Sequence, residues 1–99
     1  RDYPDRHPKP EQIALVIEVA DATLQRDRTL KMRLYASAGV MCYWILNLPD
    51  QQLEVYSERV QEGELYRYQQ RQIFKPTEDV AVSIDGQVIA HLRVQHLLA

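Results

Sequence analysis

The stretch IALVIEVADATLQRDRTLKMRLY, residues 13–35, places an acidic side chain inside an otherwise apolar segment. Its first eight residues, 13–20, form a short run rich in β-branched side chains, which predicts a central strand buried on both faces. Glu18 lies within this run. Because burying an ionised carboxylate costs several kcal/mol unless a partner or a metal compensates its charge, the position of Glu18 predicts one or the other.

A helix is predicted next, from about Gln25 to Ala38. The preceding residues 21–23, Asp-Ala-Thr, have turn chemistry, and Gly39 suits the left-handed residue that ends a helix. Residues four apart on a helix are neighbours on its surface. This spacing predicts two adjacent stripes, an apolar one at Leu30, Leu34 and Ala38 and a polar one at Asp27, Lys31 and Tyr35.

The next two segments, 42–48 and 52–58, flank Pro49-Asp50-Gln51 and predict a hairpin. The second strand of this hairpin alternates in character along its length. Its alternation predicts that two residues point inward, Leu53 and Val55, and that two point outward, Glu54 and Tyr56.

The rest of the chain predicts a further strand over 65–73, a final hairpin around Asp85-Gly86, and a terminal turn or short helix over 93–99. The order is therefore strand, helix, then antiparallel strands. This order predicts an α/β or α+β fold in which one helix covers a small mixed sheet.

Length and composition indicate one small globular domain over residues 1–99. Residues 1–12 contain three prolines and predict an extended loop. No apolar run reaches the roughly 18 residues that a membrane span needs, so no membrane contact is expected. The single cysteine, Cys42, excludes an intramolecular disulfide and favours a reducing, cytoplasmic setting.

The net charge of −2 provides no overall basic field for nucleic acid. A local basic cluster is present on the predicted helix, at Arg26, Arg28, Lys31 and Arg33. These side chains form either a solvated helix face or a surface that neutralises nucleic-acid phosphates.

A carboxylate near the end of a strand, followed about a dozen residues later by a lysine on the covering helix, suits metal-dependent phosphodiester cleavage. Glu18 would hold a hard divalent cation through oxygen, and the cation would polarise a phosphate and acidify a water. Lys31 would add a mobile positive charge beside that water. The alternative is a structural ion pair, which is common in proteins.

The run HPKPEQIALVIEVADATLQRDRTLKMRLYASAGVMCYWILNL, residues 7–48, resembles the signature of the Uma-two family of endonucleases. This family is a branch of the PD-(D/E)XK, restriction-endonuclease-like superfamily. The resemblance implies a restriction-endonuclease-like mixed sheet, DNA as substrate, and Mg²⁺ as cofactor, with Mn²⁺ as a substitute. It also implies that Glu18 and Val19 are metal-binding positions.

The chain departs from the superfamily pattern at the lysine. The usual E-x-K motif would place lysine at position 20, where this chain has Ala20. In this family the lysine has moved to the neighbouring helix, and Lys31 matches that position. The resemblance therefore implies that Lys31 reaches the site from the helix. From its position, Asp27 either charges the first turn of the helix and pairs with Lys31 or also orients this lysine. Tyr35 either packs between the helix and the sheet or forms a supporting hydrogen bond.

The second departure concerns the first metal-binding aspartate, which in the superfamily lies on an earlier strand in a Pro-Asp motif. Pro4-Asp5 is a candidate, but its spacing and proline-rich setting match the linker that follows that motif, and an isolated Pro-Asp is usual in turns. The chain also begins with Arg1 rather than methionine. We therefore expect a fragment that lacks N-terminal strands and holds half of a metal site.

Two functional hypotheses follow. The first is a magnesium-dependent endodeoxyribonuclease that uses Glu18 and Lys31, with Arg26, Arg28 and Arg33 at DNA phosphates. The second is a non-catalytic, truncated family member that acts as a binding or dimerisation module. Since a partly missing sheet would expose an unpaired strand edge, a homodimer is expected.

Overall fold

The computed structural model describes residues 13–98 of the chain. The predicted loop over residues 1–12, with the candidate Asp5, lies outside the described residues. The described strands are β1 (Ile13–Ala20), β2 (Val40–Asn47), β3 (Gln52–Glu62), β4 (Leu65–Phe74), β5 (Asp79–Ile84) and β6 (Gln87–Arg93). The covering helix occupies residues 24–37 between β1 and β2, and a terminal helix spans Val94–Leu98.

Four strands form a mixed sheet in the order β1-β2-β3-β4, and β5 and β6 form a separate two-stranded sheet. Strand β1 is parallel to β2, whereas β2, β3 and β4 are successively antiparallel. Parallel neighbours need a crossover connection, which the covering helix provides. The predicted mixed sheet with one covering helix is confirmed, and the architecture is compatible with a restriction-endonuclease-like fold.

Both predicted hairpins are present. The β5–β6 hairpin turns at Asp85 and Gly86, whose φ angles of 53° and 78° are both positive. Two consecutive positive φ angles are what the tightest hairpin turn requires, which explains the Asp-Gly pair. A terminal turn or a short helix was predicted, and the terminal segment is a short helix.

The prediction that β1 is a central strand is wrong for the described residues. Among them β1 pairs with β2 alone and lies at the edge of the sheet. Ile17 and Val19 remain 47% and 59% exposed. A β-branched run indicates strand propensity, but it does not determine whether another strand pairs with the free backbone edge.

The four-stranded sheet has a hydrophobic cluster on each face. The cluster beneath the covering helix contains Ala20, Ala36, Tyr43, Ile45, Tyr56 and Tyr68. The cluster on the far face contains Trp44, Leu46, Leu53, Val55, Val80 and Val94. Strands β2 and β3 are therefore covered on both faces.

This two-sided covering corrects the prediction for β3. Glu54 and Tyr56 were expected to point outward, but their side chains lie beneath the covering helix and are 0% and 6% exposed. Alternation predicts which residues share a face, and that grouping is confirmed. Alternation cannot show that the second face of β3 is also buried, because side chains with a carboxylate or a phenol are common on solvent-exposed faces.

The covering helix consists of an α-helical turn at Leu24–Arg26, a π-helical turn at Asp27–Lys31 and an α-helix at Met32–Ser37. It is followed by Gly39, whose φ of 88° is left-handed as predicted. The predicted bounds are therefore confirmed to within about one residue.

The expected apolar stripe of this helix does not face the sheet. Leu30 and Leu34 are 60% and 62% exposed, whereas Asp27 is fully buried. The sheet beneath the helix presents the two carboxylates Glu18 and Glu54, so the polar stripe turns toward it. A π-helical turn also contains an extra residue, which changes the face that each following residue occupies.

Candidate active site

Glu18 meets the covering helix through two hydrogen bonds. The Lys31 ammonium donates to Glu18 Oε1 at 3.3 Å, and the Tyr35 hydroxyl donates to Oε2 at 2.5 Å. The side chains of Glu18 and Lys31 are 23% and 38% exposed. The carboxylate therefore has partners, and the site is open to solvent.

Lys31 also faces a second carboxylate on its own helix. Its Nζ lies 3.3 Å from Asp27 Oδ1, four residues earlier in the chain. The Asp27 side chain is fully buried, and its Oδ2 accepts a hydrogen bond of 3.2 Å from the Thr23 hydroxyl. Oδ1 accepts no hydrogen bond from any described residue, so the positive charge of Lys31 is what compensates that buried atom.

The pKa values of the two donors define the charge state of the site. Asp27 first, and Glu18 second, raise the pKa of Lys31 above its ordinary value. The hydrogen bond to Glu18 and then burial raise the pKa of Tyr35. At neutral pH Lys31 is therefore a cation and Tyr35 a neutral donor, so neither residue is suited to act as a general base.

A second buried carboxylate, Glu54, lies close to this site, although the pattern of its strand predicted an outward, exposed side chain. Ile45 on β2 pairs with Glu18 on one side and with Glu54 on the other, so the two carboxylates flank one residue on the same face of the sheet. The signal that could have identified Glu54 is the one that identified Glu18, namely an acid within the apolar strand QLEVY.

Four hydrogen bonds satisfy Glu54. Arg28 donates through Nε to Oε1 at 3.0 Å and through Nη2 to Oε2. The Tyr56 hydroxyl donates to Oε1 at 2.6 Å, and the Asn47 amide donates to Oε2 at 2.8 Å. Burial opposes ionisation of Glu54, but these hydrogen bonds outweigh it and lower its pKa to about 2. Glu54 is therefore ionised at neutral pH.

The three arginines predicted to contact nucleic acid occupy different positions. Arg28 points toward the sheet and binds Glu54, with 30% of its side chain exposed. Arg26 lines a shallow cleft beside Thr23 and Gln25. Arg33 is exposed and lines a second cleft of about 210 Å³ between the covering helix and Tyr66 and Arg67 of β4.

The donors at Glu18 match a hard divalent cation in type. The Ala20 carbonyl accepts a hydrogen bond of 3.0 Å from the Leu48 amide, and the backbone groups of adjacent residues in a parallel strand point to opposite edges. The Val19 carbonyl therefore points to the edge of β1 that has no strand partner among residues 13–98. One carboxylate and one carbonyl suit Mg²⁺, which keeps several waters and uses one or two carboxylates together with phosphate.

This donor set is small. Within the described part of the chain, no group of three or more His, Cys, Asp or Glu side chains is placed to hold a metal ion. Asp27, the next carboxylate, is buried and engaged with Lys31. The described residues therefore fit an open site that substrate completes, and not a closed protein cage.

A larger cleft lies elsewhere, on the far face of the sheet. It has a volume of about 700 Å³ and is lined by Trp44, Val80, His91 and other residues from β1 to β6. Neither Glu18 nor Lys31 contributes to its walls. Glu18 and Lys31 therefore lie outside this cleft, on an exposed part of the sheet edge.

The comparison with protein families identifies the family of the chain. The family model "Uma2: Putative restriction endonuclease" matches residues 1–92 of the 99-residue chain. The chain belongs to the Uma2 family. The resemblance found in residues 7–48 is thereby confirmed and extends over almost the whole chain. Membership of Uma2 supports a nuclease-like function in general terms.

A search of curated proteins finds no match to this Uma2 chain. None of the helices in residues 13–98 is long and apolar enough to cross a membrane.

Proposed function

We propose that this Uma2 protein is a magnesium-dependent DNA endonuclease that hydrolyses phosphodiester bonds at Glu18 and Lys31. The observation that carries the proposal is the position of the Lys31 ammonium, 3.3 Å from a Glu18 oxygen at an open strand end. Family membership supports the reaction class, and the donor types at Glu18 and Val19 support a hard cation.

Each residue has a defined task in this proposal. Glu18 and the Val19 carbonyl hold the cation, which when bound supplies Lewis-acid polarisation of the phosphate. Lys31 places a permanent positive charge beside the phosphate and stabilises the negative charge that develops there. Tyr35 fixes the second oxygen of Glu18 and so orients the carboxylate.

Asp27 keeps Lys31 in place when Glu18 binds the cation. Without Asp27, the Lys31 ammonium would have no carboxylate partner once Glu18 binds the cation, and the two positive charges would repel each other. Because Asp27 is buried and 3.3 Å from Lys31, it retains the ammonium on the helix side of the site. Asp27 is thus proposed as a positioning residue.

DNA would lie against the exposed arginines of the covering helix. Arg33 shares its cleft with Arg67 and Tyr66 of β4, so the helix and β4 supply two basic walls beside an aromatic ring. Arg26 lies on another exposed part of the helix. We assign phosphate contacts to these side chains, with a smaller contribution from Arg28 because Glu54 binds its guanidinium.

The alternative proposal is a non-catalytic binding or dimerisation module. The observation in its favour is the small number of metal donors among the described residues, together with the exposed Ile17 and Val19 on the edge strand. A protein of this kind would bind DNA or a second copy without cleaving DNA.

The discriminating experiment is plasmid nicking in Mg²⁺ and in Mn²⁺ with Glu18→Ala and Lys31→Ala. We expect Glu18→Ala to abolish nicking, and Lys31→Ala to slow it by about 100- to 1,000-fold, the effect of removing one preorganised electrostatic group. Asp79→Ala and Lys75→Ala, which alter exposed residues outside the site, serve as controls and should nick normally. Nicking that survives both site substitutions would remove Glu18 and Lys31 from the mechanism.

A further inference from the structure

Glu54 is a buried carboxylate to which the proposed reaction assigns no chemical role. Its side chain is 0% exposed and carries a full negative charge beneath the covering helix. A buried ion pair is weak evidence for stability, because a well-packed apolar pair of similar volume is often as stable. Its presence here therefore calls for an explanation beyond stability.

The position of Glu54 relative to Glu18 supplies that explanation. The two carboxylates flank Ile45 on the same face of the sheet. The covering helix presents one cation to each of them, Lys31 to Glu18 and Arg28 to Glu54. The helix is therefore attached to the sheet at two points three residues apart.

The two attachments differ in rigidity. Arg28 binds Glu54 through two N–H groups of a planar guanidinium, a geometry that fixes orientation as well as distance. Lys31 has a flexible stem and a single donor contact to Glu18. The Arg28 contact thus sets the rotation of the helix, and the position of Lys31 follows from it.

Glu54 itself cannot shift to follow the helix. The Tyr56 hydroxyl and the Asn47 amide hold its two oxygens, and Asn47 Oδ1 accepts the Asp50 amide at the β2–β3 turn. The segment that joins the two cations is the π-helical turn Asp27–Lys31, which also carries Asp27. Such turns depend on local contacts, because they interrupt the regular hydrogen bonding of an α-helix.

We propose that Glu54 is a positioning residue which, through Arg28, fixes the π-helical turn Asp27–Lys31 so that Lys31 meets Glu18 and Asp27. The role in catalysis rests on the nuclease function proposed above. The role in placing Lys31 does not, because it concerns contacts within the chain.

The test uses the reactivity of the lysines with formaldehyde and borohydride, read by mass spectrometry of peptides. The chain has three lysines, and Lys75 is exposed and distant from the site, so its rate is an internal reference. Lys31 in the wild-type protein should react several-fold more slowly than Lys75, because two carboxylates hold its ammonium.

In Glu54→Gln the rate at Lys31 should rise toward that at Lys75. Val55→Ala is the matched control, because Val55 lies next to Glu54 on β3, is buried and faces the opposite cluster. Val55→Ala should leave the Lys31 rate low even if it lowers the free energy of unfolding. A folded Glu54→Gln protein in which Lys31 stays as slow as in the wild type would overturn the proposal.

If Glu54→Gln does not fold, the double variant Arg28→Met/Glu54→Met provides the same test, because removing both charges avoids an uncompensated buried ion. Fast modification of Lys31 in that folded variant supports the proposal, and slow modification overturns it.

Nicking kinetics separate this inference from the proposed function. Glu54→Gln should lower kcat by about 100-fold, as expected when a catalytic group is misplaced by about 1 Å, with the KM for DNA unchanged. If the wild-type protein does not nick DNA but Lys31 is modified faster in Glu54→Gln than in the wild type, the nuclease proposal fails and the positioning role stands. If wild type and Glu54→Gln nick with equal kcat, the catalytic part of the positioning role fails and the nuclease function stands.

Discussion

Replacement of Glu54 by glutamine should remove a specific, acid-sensitive part of the stability of the fold. In the folded protein the pKa of Glu54 is lowered from 4.5 to about 2, since hydrogen bonds from Arg28, Tyr56 and Asn47 outweigh the effect of burial. A group whose pKa is lowered by folding stabilises the folded state above its unfolded pKa. This stabilisation is therefore complete above about pH 4.5 and disappears as the pH falls toward 2.

The magnitude follows from the two pKa values. Since one pKa unit corresponds to about 1.4 kcal/mol, the difference between 4.5 and about 2 gives about 3 kcal/mol at neutral pH. Breaking a buried ion pair costs about 3–5 kcal/mol when the remaining charge stays buried. Arg28 keeps 30% of its side chain exposed and can regain water, so we expect the lower end of that range.

Urea unfolding followed by the fluorescence of Trp44, the single tryptophan, measures this effect. Trp44 is 2% exposed in the fold, so unfolding changes its surroundings. The free energy of unfolding of Glu54→Gln should be about 3 kcal/mol below that of the wild type at pH 7, and the gap should close between pH 4.5 and 2. Glu62→Gln, at an exposed ion pair that solvent screens, should leave the free energy of unfolding close to that of the wild type at every pH. A gap between wild type and Glu54→Gln that stays constant down to pH 2 would refute the reasoning.

Three further predictions concern the site and its surface. Tyr35→Phe removes the hydroxyl that binds Glu18, so the free energy of unfolding should fall by about 1 kcal/mol and nicking should slow, as measured by urea titration and plasmid assay. Arg33→Ala should reduce the salt dependence of DNA binding without metal, with the slope of log K against log[salt] falling by about 0.9; an unchanged slope would show that Arg33 contacts no phosphate. The β1 edge has no strand partner among residues 13–98, and the homodimer expected from it should dissociate when Val19→Lys places a charge there. A wild-type protein that sediments as a monomer at all concentrations would contradict the dimer.

Local sequence patterns predicted most of the elements. The strand at 13–20, the helix that ends before Gly39 and the Asp85-Gly86 hairpin each depend on residues that are close in the chain. The family signature in residues 7–48 likewise predicted that Lys31 reaches Glu18 from the helix, and the Lys31 ammonium lies 3.3 Å from Glu18 Oε1.

The errors concern properties that arise from packing between distant segments. The outward assignment of Glu54 failed because the residue that satisfies it, Arg28, lies 26 positions away in the chain. The exposure of Leu30 and Leu34 was not predicted, because it depends on the two sheet carboxylates that the polar face of the helix contacts. The central position of β1 failed because no pattern within a strand specifies its neighbours.

The central claim is that the carboxylate of Glu18 holds a divalent cation beside Lys31. Electron paramagnetic resonance of Mn²⁺ titrated into the protein, with a non-hydrolysable DNA duplex present to complete the coordination, tests it directly. We predict a bound Mn²⁺ that is lost in Glu18→Gln and retained in Asp79→Asn, which alters an exposed ion pair outside the site. Binding of Mn²⁺ by Glu18→Gln with the affinity of the wild type would contradict it.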